Sequence, residues 1–197
     1  MTSLRRKQIN QLADVIRDAC GVKVPASEEH LKKMVATLGG TYSEKSDMDV
    51  EAMIEKTSSK SFAITLSEGF MPTRRKFSVA HELGHLFLHM GFLTNAGKWE
   101  QTQLFMDSAR FRLGRNEEEF EANEFAAALL MPKNEFERVA NQKSDGDLYR
   151  VDEIAQHFEV SLQAALTRGR WLGLFPCHCH AASYRCGSTA HLVGSDD

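Results

Sequence analysis

Two histidines four residues apart, with a glutamate directly after the first, are the residues of this sequence best suited to chemistry. They are His81, Glu82 and His85. On a helix, positions i and i+4 lie on one face, one turn apart, so both imidazoles can bind one metal ion. A glutamate beside the first histidine can then act as a general base in hydrolysis. The spacing predicts a zinc site, with manganese as the alternative metal.

The residues around this motif predict that it is buried. Residues 77–90 are almost wholly apolar apart from their histidines and glutamate, and a helix that is apolar on most sides is buried. Burying these polar side chains costs free energy unless a partner such as a metal satisfies them. The less favoured alternative is a pair of core histidines hydrogen-bonded to the backbone. Gly84 weakens a helix, which predicts that another segment, a substrate or a strand, passes close to it.

A catalytic zinc site needs a third protein ligand and one open position. His89 lies one turn beyond His85, about 6 Å further along the helix axis, so we assign it a supporting position beside the ligands. The other source is the acidic segment at residues 117–124. Within it Glu119 and Asn123 are i, i+4 neighbours, so the carboxylate can bind the metal while the amide orients a ligand histidine. We expect most of the other glutamates to form a solvated face.

Two segments together resemble the ImmA/IrrE family of metallo-endopeptidases. The first, residues 77–89, reads FSVAHELGHLFLH, and the second, residues 119–132, reads EFEANEFAAALLMP. The resemblance extends over residues 5–175. It implies a gluzincin-type site with Glu82 as the base and three zinc ligands, His81, His85 and Glu119. The resemblance favours Glu119 over Glu121, because the related pattern places the ligand glutamate four residues before Asn or Asp.

The same resemblance implies a regulatory role. Family members are bacterial or phage-derived and cleave a helix-turn-helix transcriptional repressor, so we expect a protein substrate of that kind in the cytoplasm, and no membrane partner. The substrate is expected to pair with a strand bearing Phe62, Ile64 and Leu66. Candidate second donors to the oxyanion are Tyr149, His157 and the arginines of residues 110–115. The alternatives are a non-proteolytic protein that binds its repressor, and a regulator that binds DNA.

Hydrophobic periodicity predicts the elements that position these residues. Apolar and polar residues alternate over residues 48–55 and again over 62–67, which predicts an antiparallel hairpin, extended by a strand near residues 41–44. Helices are expected over residues 4–19, after an N-cap at Ser27, over 77–90 and over 117–130. We predict an α+β fold: a small three-stranded, largely antiparallel sheet packed on the HExxH helix and a glutamate-bearing helix, a minimal zincin-like arrangement.

The C-terminal part predicts a helix-turn-helix-like pair, residues 151–158 and 162–172. Such a pair can bind DNA, but three arginines between residues 148 and 175 are balanced by three carboxylates. A DNA-reading helix normally shows a basic excess. Direct DNA binding is therefore disfavoured, and we interpret the pair as a packing or repressor-docking unit. The predicted domains are 1–142, zincin-like; 148–175, the helix pair; and 176–197, a disordered tail.

Composition excludes several classes of protein. The net charge of −3 gives no overall attraction to nucleic acid or anionic membranes, and no apolar run reaches the roughly 20 residues of a membrane span. The N-terminus lacks the apolar core of a secretory signal.

Cys20 stands alone while Cys177, Cys179 and Cys186 crowd the C-terminus. This distribution is not that of a disulfide framework, and it favours a reducing cytoplasm. Metal binding by that tail, with His178, His180 and His191, is the less favoured interpretation, because its Cys-X-Cys spacing is too tight.

Overall fold

The computed structural model describes residues 1–102, 116–145, 148–175 and 185–187. The chain divides into two compact units, Met1–Leu130 and Met131–Asp197. The predictions about the cysteine and histidine side chains of the C-terminal tail, and about the arginines of residues 110–115, concern positions outside the described residues. The domain boundaries expected at residues 142 and 175 remain predictions.

In its described part, the first unit contains five α-helices, one π-helical segment and one three-stranded sheet. The elements in chain order are α1 (Ser3–Ala19), α2 (Glu28–Thr37), β1 (Thr41–Lys45), β2 (Ala52–Lys56), β3 (Phe62–Ser67), α3 (Pro72–Gly84), the π-helical segment His85–His89, α4 (Ala96–Gln101) and α5 (Asn116–Leu130). Ser27 caps α2, because its hydroxyl accepts from the amide of His30 at 3.2 Å. The predicted N-cap is confirmed.

The sheet has the strand order β1–β3–β2. Strands β2 and β3 are antiparallel, with Ile54 opposite Ile64, so the predicted hairpin is confirmed, although β2 begins at Ala52 and not at residue 48. Strand β1 pairs with β3 in parallel, with Tyr42 opposite Ile64. The sheet is therefore mixed. Strand β3, the last of the three in sequence, lies in the middle and pairs with β1 in parallel and with β2 in antiparallel orientation. Alternating side chains of β2 and β3, among them Ile54 and Ile64, are fully buried on one face.

The predicted substrate strand requires a correction. Phe62, Ile64 and Leu66 belong to β3, and both hydrogen-bonding edges of β3 are occupied, one by β1 and the other by β2. A peptide can be added only to a free edge, so β3 cannot accept one, and the three side chains belong to the core. Within the described residues, the free edges of this sheet belong to β1 and β2.

The second unit contains α6 (Lys133–Gln142), β4 (Ser144–Asp145), β5 (Leu148–Arg150), α7 (Val151–Phe158), α8 (Leu162–Trp171) and β6 (Arg185–Gly187). The turn between α7 and α8 uses Glu159 in the left-handed region, and Ser161 caps α8 by accepting from the amide of Ala164. Phe136 stacks on Phe158, with ring centroids 5.6 Å apart. The helix pair forms where it was predicted.

No helix within the described part of the chain has the length and apolar character needed to cross a membrane.

Candidate metal centre

The HExxH motif lies where α3 passes into a π-helical segment. Pro72 stands at the first position of α3, where its missing N–H costs nothing. Five residues, His85 to His89, follow with π-helical hydrogen bonding, and the amide of Met90 donates to the carbonyl of His85 at 2.9 Å. Single π-helical turns are frequent at functional sites. This wide turn begins at the second histidine of the motif.

Two imidazoles and one carboxylate converge on a single point. The Nε2 atoms of His81 and His85 are 3.0 Å apart. The carboxylate of Glu119 lies 3.4 Å from the first and 3.3 Å from the second. These donor atoms all lie within 4.8 Å of one another. Glu119, predicted from its spacing to Asn123, is the glutamate of α5 that reaches both rings.

The hydrogen bonds around the cluster fit a cation. The Nδ1 of His81 lies 3.0 Å from Oδ1 of Asn123, and a carbonyl oxygen only accepts. The hydrogen of a neutral His81 is therefore on Nδ1, which leaves the lone pair of Nε2 directed at the cluster. That lone pair and the carboxylate of Glu119 then both face the centre of the cluster, where both would attract a cation. Two histidines and a glutamate are an established ligand set for catalytic zinc.

Electrostatics keep the ligands in the states that metal binding needs. Hydrogen bonds from His81 and His85, and the charge that these imidazoles carry when protonated, hold the pKa of Glu119 well below its usual range, so its carboxylate is ionised, as a ligand must be. Burial lowers the pKa of His89 to about 3, so this third histidine is neutral at physiological pH. His89 contacts His85, with 2.9 Å between their Nδ1 atoms, and does not join the cluster itself.

A glycine brings the two ligand-bearing helices together. A Cβ built on Gly84 would lie 2.9 Å from Cα and 3.0 Å from the carbonyl oxygen of Ala122. Any side chain there would push α3 and α5 apart. The close approach predicted for Gly84 is thus present, and the neighbouring segment is α5, neither a substrate nor a strand. Since Glu119 lies one turn before Ala122, this contact sets its distance from the histidines.

Helix α1 holds α5 through ion pairs that the sequence did not reveal. Arg5 donates twice to Glu121, at 2.6 and 2.5 Å. Arg6 and Asn10 donate to Glu124, at 3.1 and 2.6 Å. Glu124 is fully buried, and the Arg5 guanidinium lowers the pKa of Glu121. The acidic face of α5 is therefore partly used in packing, and the available signal was the Arg5-Arg6 pair at the start of an amphipathic helix.

A cavity of about 420 Å³ opens beside the cluster. Helices α3 and α5 contribute His81, Glu82, Glu119 and Asn123 to its wall, and residues 49–52, at the start of β2, also line it. Glu82 is fully buried and directly follows a candidate ligand. The arrangement brings three groups that can hold a cation next to a cavity whose wall carries a second carboxylate, that of Glu82.

Other sequence candidates are not part of this cluster. Tyr149 packs against Phe175, with ring centroids 5.0 Å apart, and His157 lies 3.7 Å from Glu135. Both belong to the second unit. Their suggested role as oxyanion donors remains a prediction.

Comparison with known proteins finds a family match and a similar fold, each over more than half of the chain. A peptidase M78 family model, described as the IrrE N-terminal-like domain, matches residues 46–169. A solved structure described as a Mycobacterium tuberculosis transcriptional regulator is similar, with a TM-score of 0.55 and 19% sequence identity. The similarity covers 82% of this chain and 46% of that one, so this chain spans about half the length of that regulator. No curated protein matches the sequence.

Proposed function

The chain belongs to the IrrE N-terminal-like domain family of peptidases, and on that premise we propose that it is a zinc-dependent endopeptidase. The observation that carries the proposal is the convergence of His81, His85 and Glu119 within 4.8 Å, with Glu82 beside them on the wall of the cavity. The proposal assigns these three residues as metal ligands. Asn123 orients His81 by accepting its Nδ1 hydrogen.

Zinc bound at this site supplies Lewis-acid activation of a water molecule and of the substrate carbonyl. Manganese is the alternative metal. The role of the protein is to hold three ligands and leave one coordination position open, and the cavity on the Glu82 side gives a substrate access to it.

Glu82 is the proposed general base. It takes one proton from the attacking water as oxygen bonds to the scissile carbonyl carbon. It then passes that proton to the amide nitrogen as the carbon–nitrogen bond breaks, which gives a carboxylic acid and an amine. Transfer of the remaining water proton from the acid to the amine gives a carboxylate and an ammonium group. Glu82 is buried among its neighbours and lines the cavity, where the attacking water would bind.

The proposed binding edge for the substrate is that of β2 together with residues 49–52. This segment borders the cavity, and β2 is an edge strand of the sheet within the described residues. An extended peptide could be added there through backbone hydrogen bonds.

The proposed substrate is a helix-turn-helix repressor in the cytoplasm, and cleavage would relieve repression of mobile-element or stress genes. The family resemblance supports this role, and a structure of similar fold is described as a transcriptional regulator. The α7–α8 pair offers a docking unit, because its balanced charge disfavours DNA reading. The rival function is binding of the repressor without cleavage.

One experiment separates these functions. The protein is incubated with a repressor encoded beside its gene, with and without a zinc chelator, and the products are analysed by mass spectrometry. Chelator-sensitive cleavage at a defined bond supports the peptidase. Stable binding without cleavage supports the anti-repressor, and a sequence-specific DNA shift by the protein alone supports a DNA-binding regulator.

A further inference from the structure

We infer that Arg5 and Glu121 are positioning residues that orient His85 toward the metal through His89. The inference rests on the proposed function, because it concerns the ligand state of His85. Neither residue touches the cluster of ligand atoms. They act through a chain of contacts that begins on α1 and ends at the second histidine of the motif.

The chain of contacts has three links. The Nδ1 atoms of His85 and His89 are 2.9 Å apart. The other nitrogen of His89, Nε2, lies 3.4 Å from Oε2 of Glu121. Arg5 donates to both oxygens of Glu121, at 2.6 and 2.5 Å. His85 is fully buried and His89 nearly so, so water does not replace these partners freely.

Two hydrogen arrangements of the histidine pair can be compared, because two nitrogens 2.9 Å apart share one hydrogen. In the first, His89 donates from Nδ1. A neutral His89 then presents the lone pair of Nε2 to the carboxylate of Glu121, and a neutral His85 carries its hydrogen on Nε2 and cannot bind metal through that atom. In the second, His85 donates from Nδ1. His89 then directs an N–H at Glu121, and Nε2 of His85 offers a lone pair to the metal.

The charge of Glu121 selects the second arrangement, because a carboxylate attracts an N–H and repels a lone pair. Arg5 contributes by holding the carboxylate in one orientation, since paired charge-assisted hydrogen bonds fix both oxygens. Thus His81 and His85 both donate from Nδ1. Asn123 accepts from His81, and the contacts that run through His89 to Glu121 hold His85. Arg5 lies outside residues 46–169, which match the family model, so this contact comes from the helix that precedes the matched region.

The first test measures zinc affinity without any peptidase assay. Zinc is titrated against a competing chromogenic chelator for the wild type, Glu121→Gln, Glu121→Met and Arg5→Gln. Loss of partners around a ligand histidine weakens metal affinity about tenfold or more, which we expect for Glu121→Met. Glu121→Gln keeps an acceptor oxygen and is expected to be intermediate.

Arg6→Gln is the matched control, since Arg6 also links α1 to α5 but pairs with Glu124 and not with Glu121. We expect its zinc affinity to stay within about twofold of the wild type, while Arg5→Gln weakens zinc binding several times more. Equal weakening by Arg5→Gln and Arg6→Gln would mean that both simply hold α1 on α5, and would overturn the inference.

A second test uses the unmodified protein and does not depend on variant folding. In the zinc-loaded wild type with ¹⁵N-labelled histidine, long-range ¹H–¹⁵N spectra identify which nitrogen of His89 carries the hydrogen. We expect Nε2–H. An Nδ1–H tautomer of His89 would overturn the inference. A wild type that binds no zinc would instead refute the metal centre itself, whereas zinc binding unaffected by Glu121→Met would refute this inference alone.

Discussion

At the scale of single residues, the centre depends on which atoms of three side chains face one another. The spacing of His81 and His85, with Glu82 between them, predicts the pair of imidazoles because helical geometry is local. Glu119 could also be anticipated, since Asn123 follows four residues later on the same face and the family resemblance favours that spacing. The structure then places Asn123 3.0 Å from His81. Arg5 could not, because its partner is 116 positions away and nothing local to either residue encodes a contact at that separation.

Glu82→Gln isolates the general base. Glutamine preserves the shape of the side chain but cannot accept the proton, so we expect peptide cleavage to fall about 10²- to 10⁴-fold with bound zinc unchanged. Metal content by atomic absorption and cleavage of the repressor are the two measurements. Glu100→Gln, on the exposed side of α4, is the control and should behave as the wild type. Full cleavage by Glu82→Gln would remove Glu82 from this role.

At the scale of elements, the position of Glu119 depends on how closely α5 approaches α3. Hydrophobic alternation gave the two strands of the hairpin and their buried faces. It could not give the direction of β1, because alternation is the same in parallel and antiparallel strands. The π-helical turn and the short strands β4–β6 could not be predicted either, because each is too short to show a hydrophobic period.

Gly84→Ala tests the helix contact. The added methyl would meet the backbone of Ala122 at 2.9 Å, so the helices must separate. We expect a loss of about 1–3 kcal/mol in the free energy of unfolding, together with weaker zinc binding. Gly97→Ala is the control, because its nearest neighbour would be 3.7 Å away and alanine favours a helix. Urea denaturation of both variants measures the difference. Unchanged stability and zinc affinity in Gly84→Ala would show that the spacing is not limiting.

The link between α2 and α3 gives a pH-dependent prediction. Arg75 donates to Glu28 at 3.1 and 2.8 Å and lowers the pKa of Glu28 from 4.5 to about 2. A carboxyl whose pKa is lower in the folded state contributes stability above pH 4.5, and that stability is lost as the pH falls toward 2.

We therefore expect Glu28→Gln to lose about 1–2 kcal/mol of unfolding free energy at neutral pH. The difference from the wild type should shrink as the pH falls through the same interval, because wild-type Glu28 becomes protonated. Denaturation at a series of pH values measures it, with Glu29→Gln as the neighbouring control. A difference that stays constant down to pH 2 would contradict the ion-pair explanation.

At the scale of the whole molecule, metal binding is coupled to folding. The complete ligand set exists only when α3 and α5 are in contact, so zinc binds the folded chain in preference to the unfolded one. Free zinc at about 100 times its dissociation constant should stabilise the protein by about 2.7 kcal/mol. Thermal unfolding with zinc and with a chelator measures the shift. A His81→Ala, His85→Ala double variant should show none, and a wild type that unfolds at the same temperature in both conditions would argue against the site.

The ligands also divide unequally along the chain. Both histidines lie on one continuous helical stretch that ends at His89, and the carboxylate follows on a helix that begins at Asn116. A single nick anywhere between these two residues would leave each fragment with only part of the coordination sphere. Packing and the shared ion would then be all that holds the fragments together, so chelation after such a nick should weaken their association. High-affinity metal binding should therefore depend on an uncut connection between His89 and Asn116.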